Sequence, residues 1–212
     1  MELGVQFTFF IVSFISLFTI VNPFSTVSVF LSITEGDTKS KKKAMAKKAS
    51  IIAAIVLIIF ALMGNYILSF FSITLDAFRV AGGIIIASIG FRMIKAQRER
   101  LPTPEERKAA IEKEDVSVIP LAIPLLSGPG AMTTSIALMS QTQNLTSGSL
   151  VILAILVVCF LSYFILAKAD SINRFLGETG RRVSDRLMGL LVLVVGVQFV
   201  MNGISGFLAQ LI

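Results

Sequence analysis

The 212 residues are 55% hydrophobic and 15% charged, with a mean hydropathy of +0.85, which is more apolar surface than one soluble core can cover. There is no histidine or tryptophan, and the single Cys159 lies in an apolar run, so His-based catalysis, His/Cys metal sites and an internal disulfide are excluded. The net charge of +6 would invite nucleic acid onto a soluble protein, but here the basic residues fall between apolar stretches, where they mark membrane edges; no nucleic-acid partner is expected.

A membrane-crossing helix needs roughly 20 apolar residues to pass a hydrocarbon layer about 30 Å thick. Read against that length, the charge-poor stretches predict six spans, at about 4–34, 49–71, 76–95, 117–142, 149–168 and 186–210. The first carries Glu2 in its leader and is far longer than the apolar core of a secretory signal, so it is expected to stay attached. Arg79 and Arg92 lie near the ends of the third and must reach outward. The polar turn Gln141–Ser149 separates the fourth from the fifth.

Lys and Arg number six in 39–48, seven in 92–113 and five in 168–186, against Arg79 alone on the other side. That asymmetry predicts three cytoplasmic loops, with both termini outside the cytoplasmic membrane of a prokaryote. The run Lys39, Lys41, Lys42, Lys43, Lys47, Lys48 reads as a topology signal with attraction for anionic membrane lipids, worth about 1 kcal/mol per residue. Thr103-Pro-Glu-Glu106 has capping-box spacing, which predicts a short amphipathic helix over 104–113.

A gapless shift of 106 residues lays Pro23 on Pro129, Gly83 on Gly189 and Gly90 on Gly196. Each half then holds three spans, an odd number, so the second half enters from the opposite side. The expected fold is an all-α integral membrane protein of six transmembrane helices, built as two inverted-topology three-helix repeats over 1–96 and 116–212, joined by a cytoplasmic linker at 97–115.

The first span of each half is interrupted, at Asn22-Pro23-Phe24-Ser25 and at Ser127-Gly128-Pro129-Gly130. Proline denies a donor to the preceding turn but suits the first position of a new helix, with Asn22 and Ser127 or Gly128 as N-caps. The first and fourth helices are thus expected to be broken, with half-helices of opposite direction whose N-termini meet inside the bilayer. Free N–H groups there favour a carboxylate, and the carbonyls near Val21 and Leu126 can accept from an ammonium, so the expected ligand is a small zwitterion. The candidate binding residues are Asn22, Pro23, Phe24, Ser25, Thr26, Ser127, Gly128, Pro129, Gly130, Ala131, Thr133 and Thr134. Ser25, Ser28 and Ser32 share one helical face. The competing reading is a pair of proline kinks with hydroxyls bonded to their own helix. Because the first break follows about 18 residues of helix and the second about 12, placing both at one depth requires tilt.

Heptad-spaced Gly83 and Gly90, and Gly189, Gly196 and Gly203, read as helix packing, while Asn65, Gln198 and Asn202 either line a path or bond a neighbouring helix. Ser127 is the one tempting nucleophile and lacks a base, so no enzyme activity, catalytic residue or cofactor is expected. Carriers that move protons often use an intramembrane carboxylate, and the nearest ones, Glu35, Asp37 and Asp76, sit at span ends, which leaves H+ or Na+ as the coupling ion open. A small-solute channel built on the paired half-helices is the alternative to a carrier, and the residues do not fix the oligomeric state.

At these residues the chain resembles the MarC/SnatA family of membrane proteins. Pro120-Leu-Ala-Ile-Pro124-Leu-Leu-Ser-Gly128-Pro-Gly-Ala131 is similar to its fourth-helix signature, Ala77-Phe-Arg-Val-Ala-Gly-Gly83 to its third, and Arg186-Leu-Met-Gly-Leu-Leu191 with Gly196-Val-Gln198 to its last. In the first motif Asn22-Pro23, Phe30 and Thr34 match, while Ser25 replaces the usual glycine and Ser28 a frequent proline. The resemblance implies an ion-gradient-driven secondary transporter of small neutral amino acids such as glycine or alanine, with two inverted repeats and discontinuous first and fourth helices.

Overall fold

The computed structural model describes residues 2–95, 117–142 and 144–209, and every regular element among them is helical. In lipid each backbone N–H must find its partner inside the chain, and long runs of Leu, Ile, Val and Phe without competing side chains meet that demand as helices. In chain order the elements are α1 (Glu2–Val21), α2 (Pro23–Ile33), α3 (Lys39–Phe70), α4 (Leu75–Ile94), α5 (Ser117–Leu126, wound as a π-helix), α6 (Pro129–Met139), α7 (Leu145–Ala167) and α8 (Ala169–Ala209). Among the described residues five stretches are long and apolar enough to cross a membrane: Gly4–Ile33, Lys39–Phe70, Leu75–Ile94, Leu145–Ala167 and Arg182–Ala209. The expected span at 117–142 is broken at the expected place, into two short helices, α5 and α6, that meet at Ser127-Gly128, and neither is long enough to stand among the five. The expected helix at 104–113 and the linker at 97–115 lie outside the described residues.

Capping residues move two predicted boundaries. The Thr38 hydroxyl accepts from the Lys41 N–H at 3.3 Å, so α3 begins at Lys39 and the lysine run forms its first turns. At 1.5 Å per residue α3 is about 48 Å long, well beyond the hydrocarbon thickness, so these turns stand outside it. Lys42 Nζ reaches Asp170 Oδ1 at 3.1 Å and ties this extension to the start of α8. The side chain of Asn144 accepts from the Ser147 N–H at 2.8 Å in a capping box, which starts α7 at Leu145, ahead of the expected 149. The expected loop 168–186 is helical except at Gly177, whose φ of 61° breaks α8.

Helices α1, α3 and α7, together with α2, α5 and α6, enclose the main core, which includes Leu17, Phe30, Leu57, Leu126, Ile155 and Val158. Within it α3 packs on α6 and α7 on α2, while α1 packs on α7 and α5 on α3. Helices α4 and α8 pair with each other, and they meet α6 and α2 respectively.

The α4–α8 pair is antiparallel and held by backbone on backbone. A Cβ on Gly83 would lie 2.6 Å from the Gly196 carbonyl oxygen, one on Gly90 2.7 Å from that of Gly189, and one on Gly203 2.6 Å from that of Asp76. No side chain fits in these gaps, so the glycines are packing residues, as their spacing predicts. Asp76 lies at the end of the seam, 7% exposed, with its carboxylate against Gly206 and its Oδ1 3.1 Å from Arg79 Nη1.

Candidate functional site

The first break is built around Asn22, which has left-handed angles (φ 44°, ψ 64°), a region Asn tolerates better than most residues. This one residue ends α1, donating its N–H to the Phe18 carbonyl at 3.0 Å, and caps α2, with Oδ1 accepting from the Ser25 N–H at 3.4 Å. Pro23 follows as the first residue of α2 and brings no donor to the Thr19 carbonyl. Asn22 Nδ2 donates to Ser25 Oγ at 2.9 Å, and Ser25 Oγ donates in turn to Asp185 Oδ1 at 2.6 Å. A carboxylate of α8 therefore stands at the N-terminal end of α2, where the helix dipole favours negative charge. Thr26 is turned back, its hydroxyl donating to the Asn22 carbonyl at 3.3 Å. Phe24 packs edge-on against Phe18 across the break, with ring centroids 6.2 Å apart.

The second break is differently made. The N–H and hydroxyl of Ser127 both donate to the Ala122 carbonyl at 2.9 Å, the five-residue reach of a π-turn. Ser127 is thereby occupied and does not cap α6. Gly128 is the N-cap and offers no side-chain bond, Pro129 is exposed, and the N–H groups of Gly130 and Ala131 lie in the uncapped first turn. Thr134 and Ser135 donate to the carbonyls of Gly130 and Ala131 at 2.8 and 2.9 Å. The Thr133 side chain fills the notch that Gly82 leaves in α4.

Both breaks lie along α4 at different levels. Asn22 Nδ2 approaches Met93 Sδ at 3.8 Å, whereas a Cβ on Gly130 would meet Ile20 at 3.1 Å, Ile86 at 3.2 Å and Ile89 at 3.9 Å. Four to seven residues separate these contacts, an offset of about 6–10 Å along the helix. The expected head-on meeting of the two N-termini is thus replaced by a stagger, which follows from the unequal helix lengths before the two prolines, and α2 makes no extended contact with α6.

Of the twelve candidates, Asn22 through Thr26 gather at the first break and Ser127 through Ala131, Thr133 and Thr134 at the second. Thr26, Ser127 and Thr134 bond their own backbone, as the kink reading expects; Ser25 reaches across to another helix. Sequence reasoning missed Asp185, which lies in an arginine-rich stretch read as a loop, and Met93. Asn65 accepts from Ser140, the C-cap of α6, at 2.7 Å, and Gln198 donates to Asn202 at 2.7 Å within α8. Among the described residues no three His, Cys, Asp or Glu side chains gather as a metal site.

Comparison with known proteins identifies the family. The model of the MarC family of integral membrane proteins matches residues 7–208. The chain is 41% identical to a UPF0056 membrane protein of Methanocaldococcus jannaschii, over 94% of this chain and 98% of that one. It is 36% identical to the UPF0056 membrane protein YvbG of Bacillus subtilis, over 95% and 96% of the two chains, and 34% identical to the UPF0056 membrane protein YhcE of Escherichia coli, over 94% and 93%. No solved structure matches. With a family model spanning nearly its whole length and full-length relatives in bacteria and archaea, the chain belongs to the MarC family of multi-pass integral membrane proteins.

Proposed function

We propose that the chain is a secondary transporter of small neutral amino acids, working by alternating access between two inverted three-helix repeats, residues 1–96 and 116–212, in a prokaryotic cytoplasmic membrane with both termini outside. The observation that carries the reading is a reciprocal contact. If Gly83 and Gly90 are equivalent to Gly189 and Gly196, a two-fold relation between the halves turns the Gly83–Gly196 contact into Gly189–Gly90, and both contacts are present. The packing of α3 on α6 and α7 on α2, and of α4 on α6 and α8 on α2, has the same exchange symmetry. In this reading α5 and α6 together make the fourth span, broken like the first, and bring the total to six.

The two breaks then take different ends of a zwitterion. The uncapped N-terminus of α6 receives the carboxylate on the N–H groups of Gly130 and Ala131. At the first break the Thr19 carbonyl, freed by Pro23, and the Asp185 carboxylate receive the ammonium. A ligand with no side chain, or with only a methyl group, suits a first turn whose own residues are Gly130 and Ala131. Rocking of one repeat against the other opens the breaks to each side in turn, driven by a proton or sodium gradient. The test is uptake of labelled glycine and alanine into proteoliposomes under an imposed proton gradient, an imposed sodium gradient or none. Saturable uptake with counterflow is expected. Folded protein giving neither overturns the reading, and non-saturable flux identifies a channel.

A further inference from the structure

The face of α8 turned away from the glycine seam carries three exposed polar side chains at helical spacing, Gln198, Asn202 and Ser205. They lie about 180–240° around the helix from Gly196, so α4 does not cover them. Their depth makes them unusual. The seam pairs Gly83 with Gly196 and Gly90 with Gly189, so the middle of the 20-residue α4, between Ile84 and Ile85, lies level with the backbone just before Gly196. Counted from there at 1.5 Å per residue, Gln198 and Asn202 are about 5 and 11 Å from the midpoint, inside a hydrocarbon half-layer of about 15 Å. Lipid tails offer them no hydrogen bond, and a polar group left unpaired there costs free energy.

The Gln198 amide donates to Asn202 Oδ1 at 2.7 Å. That bond satisfies one donor of Gln198 and one acceptor of Asn202, leaving the Gln198 carbonyl oxygen, its second amide hydrogen and the whole Asn202 NH2 group to be met from outside the helix. An amide carries donor and acceptor together and is complementary to itself. Two copies of one chain in the same membrane share an orientation, so a two-fold axis along the membrane normal brings like residues together at equal depth. There Gln198 meets Gln198 and Asn202 meets Asn202, each pair exchanging N–H and carbonyl across the axis.

We infer that this face of α8 is a homodimer interface, with the second copy seated on the Gln198–Asn202–Ser205 stripe. The inference rests on membrane depth and amide chemistry and does not depend on the transported solute. The experiment is oxidative cross-linking of the full chain in native membranes. Ser205→Cys is expected to give a band at twice the 22.9 kDa chain mass, while Ile55→Cys, exposed on α3, gives none; Cys159 is buried and stays in place. Replacing Gln198 and Asn202 with leucine in the Ser205→Cys protein is expected to lower the dimer association constant roughly 3- to 30-fold, the range for intramembrane polar contacts. Both side chains are exposed in the single chain, so the substitutions are expected to leave its fold unchanged. A Ser205→Cys protein that stays monomeric, cross-linking at Ile55→Cys instead, or dimers indifferent to the loss of both amides would each overturn the inference.

Discussion

Ser25 and Asp185, 160 positions apart, are joined by a 2.6 Å hydrogen bond in which the hydroxyl donates to the carboxylate. Bonds to a charged acceptor are about twice as strong as neutral ones, and this one links α2 to α8 at the first break. Ser25→Ala and Asp185→Asn are each expected to destabilise the protein by about 1–2 kcal/mol. In a double-mutant cycle read by thermal unfolding in detergent, the coupling between them should be at least about 0.5 kcal/mol. Strictly additive losses would show that the bond contributes nothing.

Asn22 has two duties that substitution can separate. Asn22→Ala loses the cap, at a cost of about 1 kcal/mol, and forces a Cβ-bearing residue without a polar side chain into left-handed angles, at about 1–2 kcal/mol more. Asn22→Gly keeps the angles at no steric cost and gives up only a few tenths of a kcal/mol of capping. The expected order of unfolding temperatures is therefore wild type, then Asn22→Gly, then Asn22→Ala. If glycine proves no better than alanine, backbone conformation is not what selects Asn22.

The glycine seam predicts a steep contrast between positions. A Cβ at Gly83 or Gly90 collides with backbone, which cannot yield as a flexible side chain would, so Gly83→Ala and Gly90→Ala should each cost about 3 kcal/mol or prevent folding. Gly4, with nothing within 4 Å, should accept alanine with a change of no more than about 0.5 kcal/mol in either direction. Unfolding of the three variants in detergent measures the contrast.

Orientation is testable by sided labelling. Lys43→Cys on the exposed first turns of α3 should react with a membrane-impermeant maleimide only in inverted vesicles, and Ser72→Cys, in the exposed turn between α3 and α4, only in right-side-out ones. The reverse pattern would place both termini in the cytoplasm.

The breaks were legible in the sequence because what causes them is local: Pro23 and Pro129 deny donors wherever the chain goes. The glycine seam was legible for a similar reason, since a heptad of glycines in lipid has few uses besides close approach. Asp185 was not legible. It lies among Arg181, Arg182 and Arg186 in a stretch that charge alone marks as a loop, and only the packing of α8 against α2 brings it to Ser25. Helix starts at Lys39 and Leu145 were missed because hydropathy discounts the polar residues that cap them. Ser127 was read as a possible cap, and the π-winding of α5 gave it a nearer acceptor in the Ala122 carbonyl.

The glycine seam also limits how the molecule can move. Carbonyls of α8 occupy the hollows over Gly83 and Gly90, and the residues one turn away on the same face, among them Val80, Ala87 and Ile94, carry side chains, so displacing one helix along the other by a turn drives a Cβ into a peptide group. Helices α4 and α8, which come from opposite halves of the chain, therefore cannot shear past each other, and the seam between them serves as a hinge pin. Rocking of one half against the other has to turn about that pin, and the short, proline-started pieces α6 and α2, which rest on α4 and α8 respectively, swing with it.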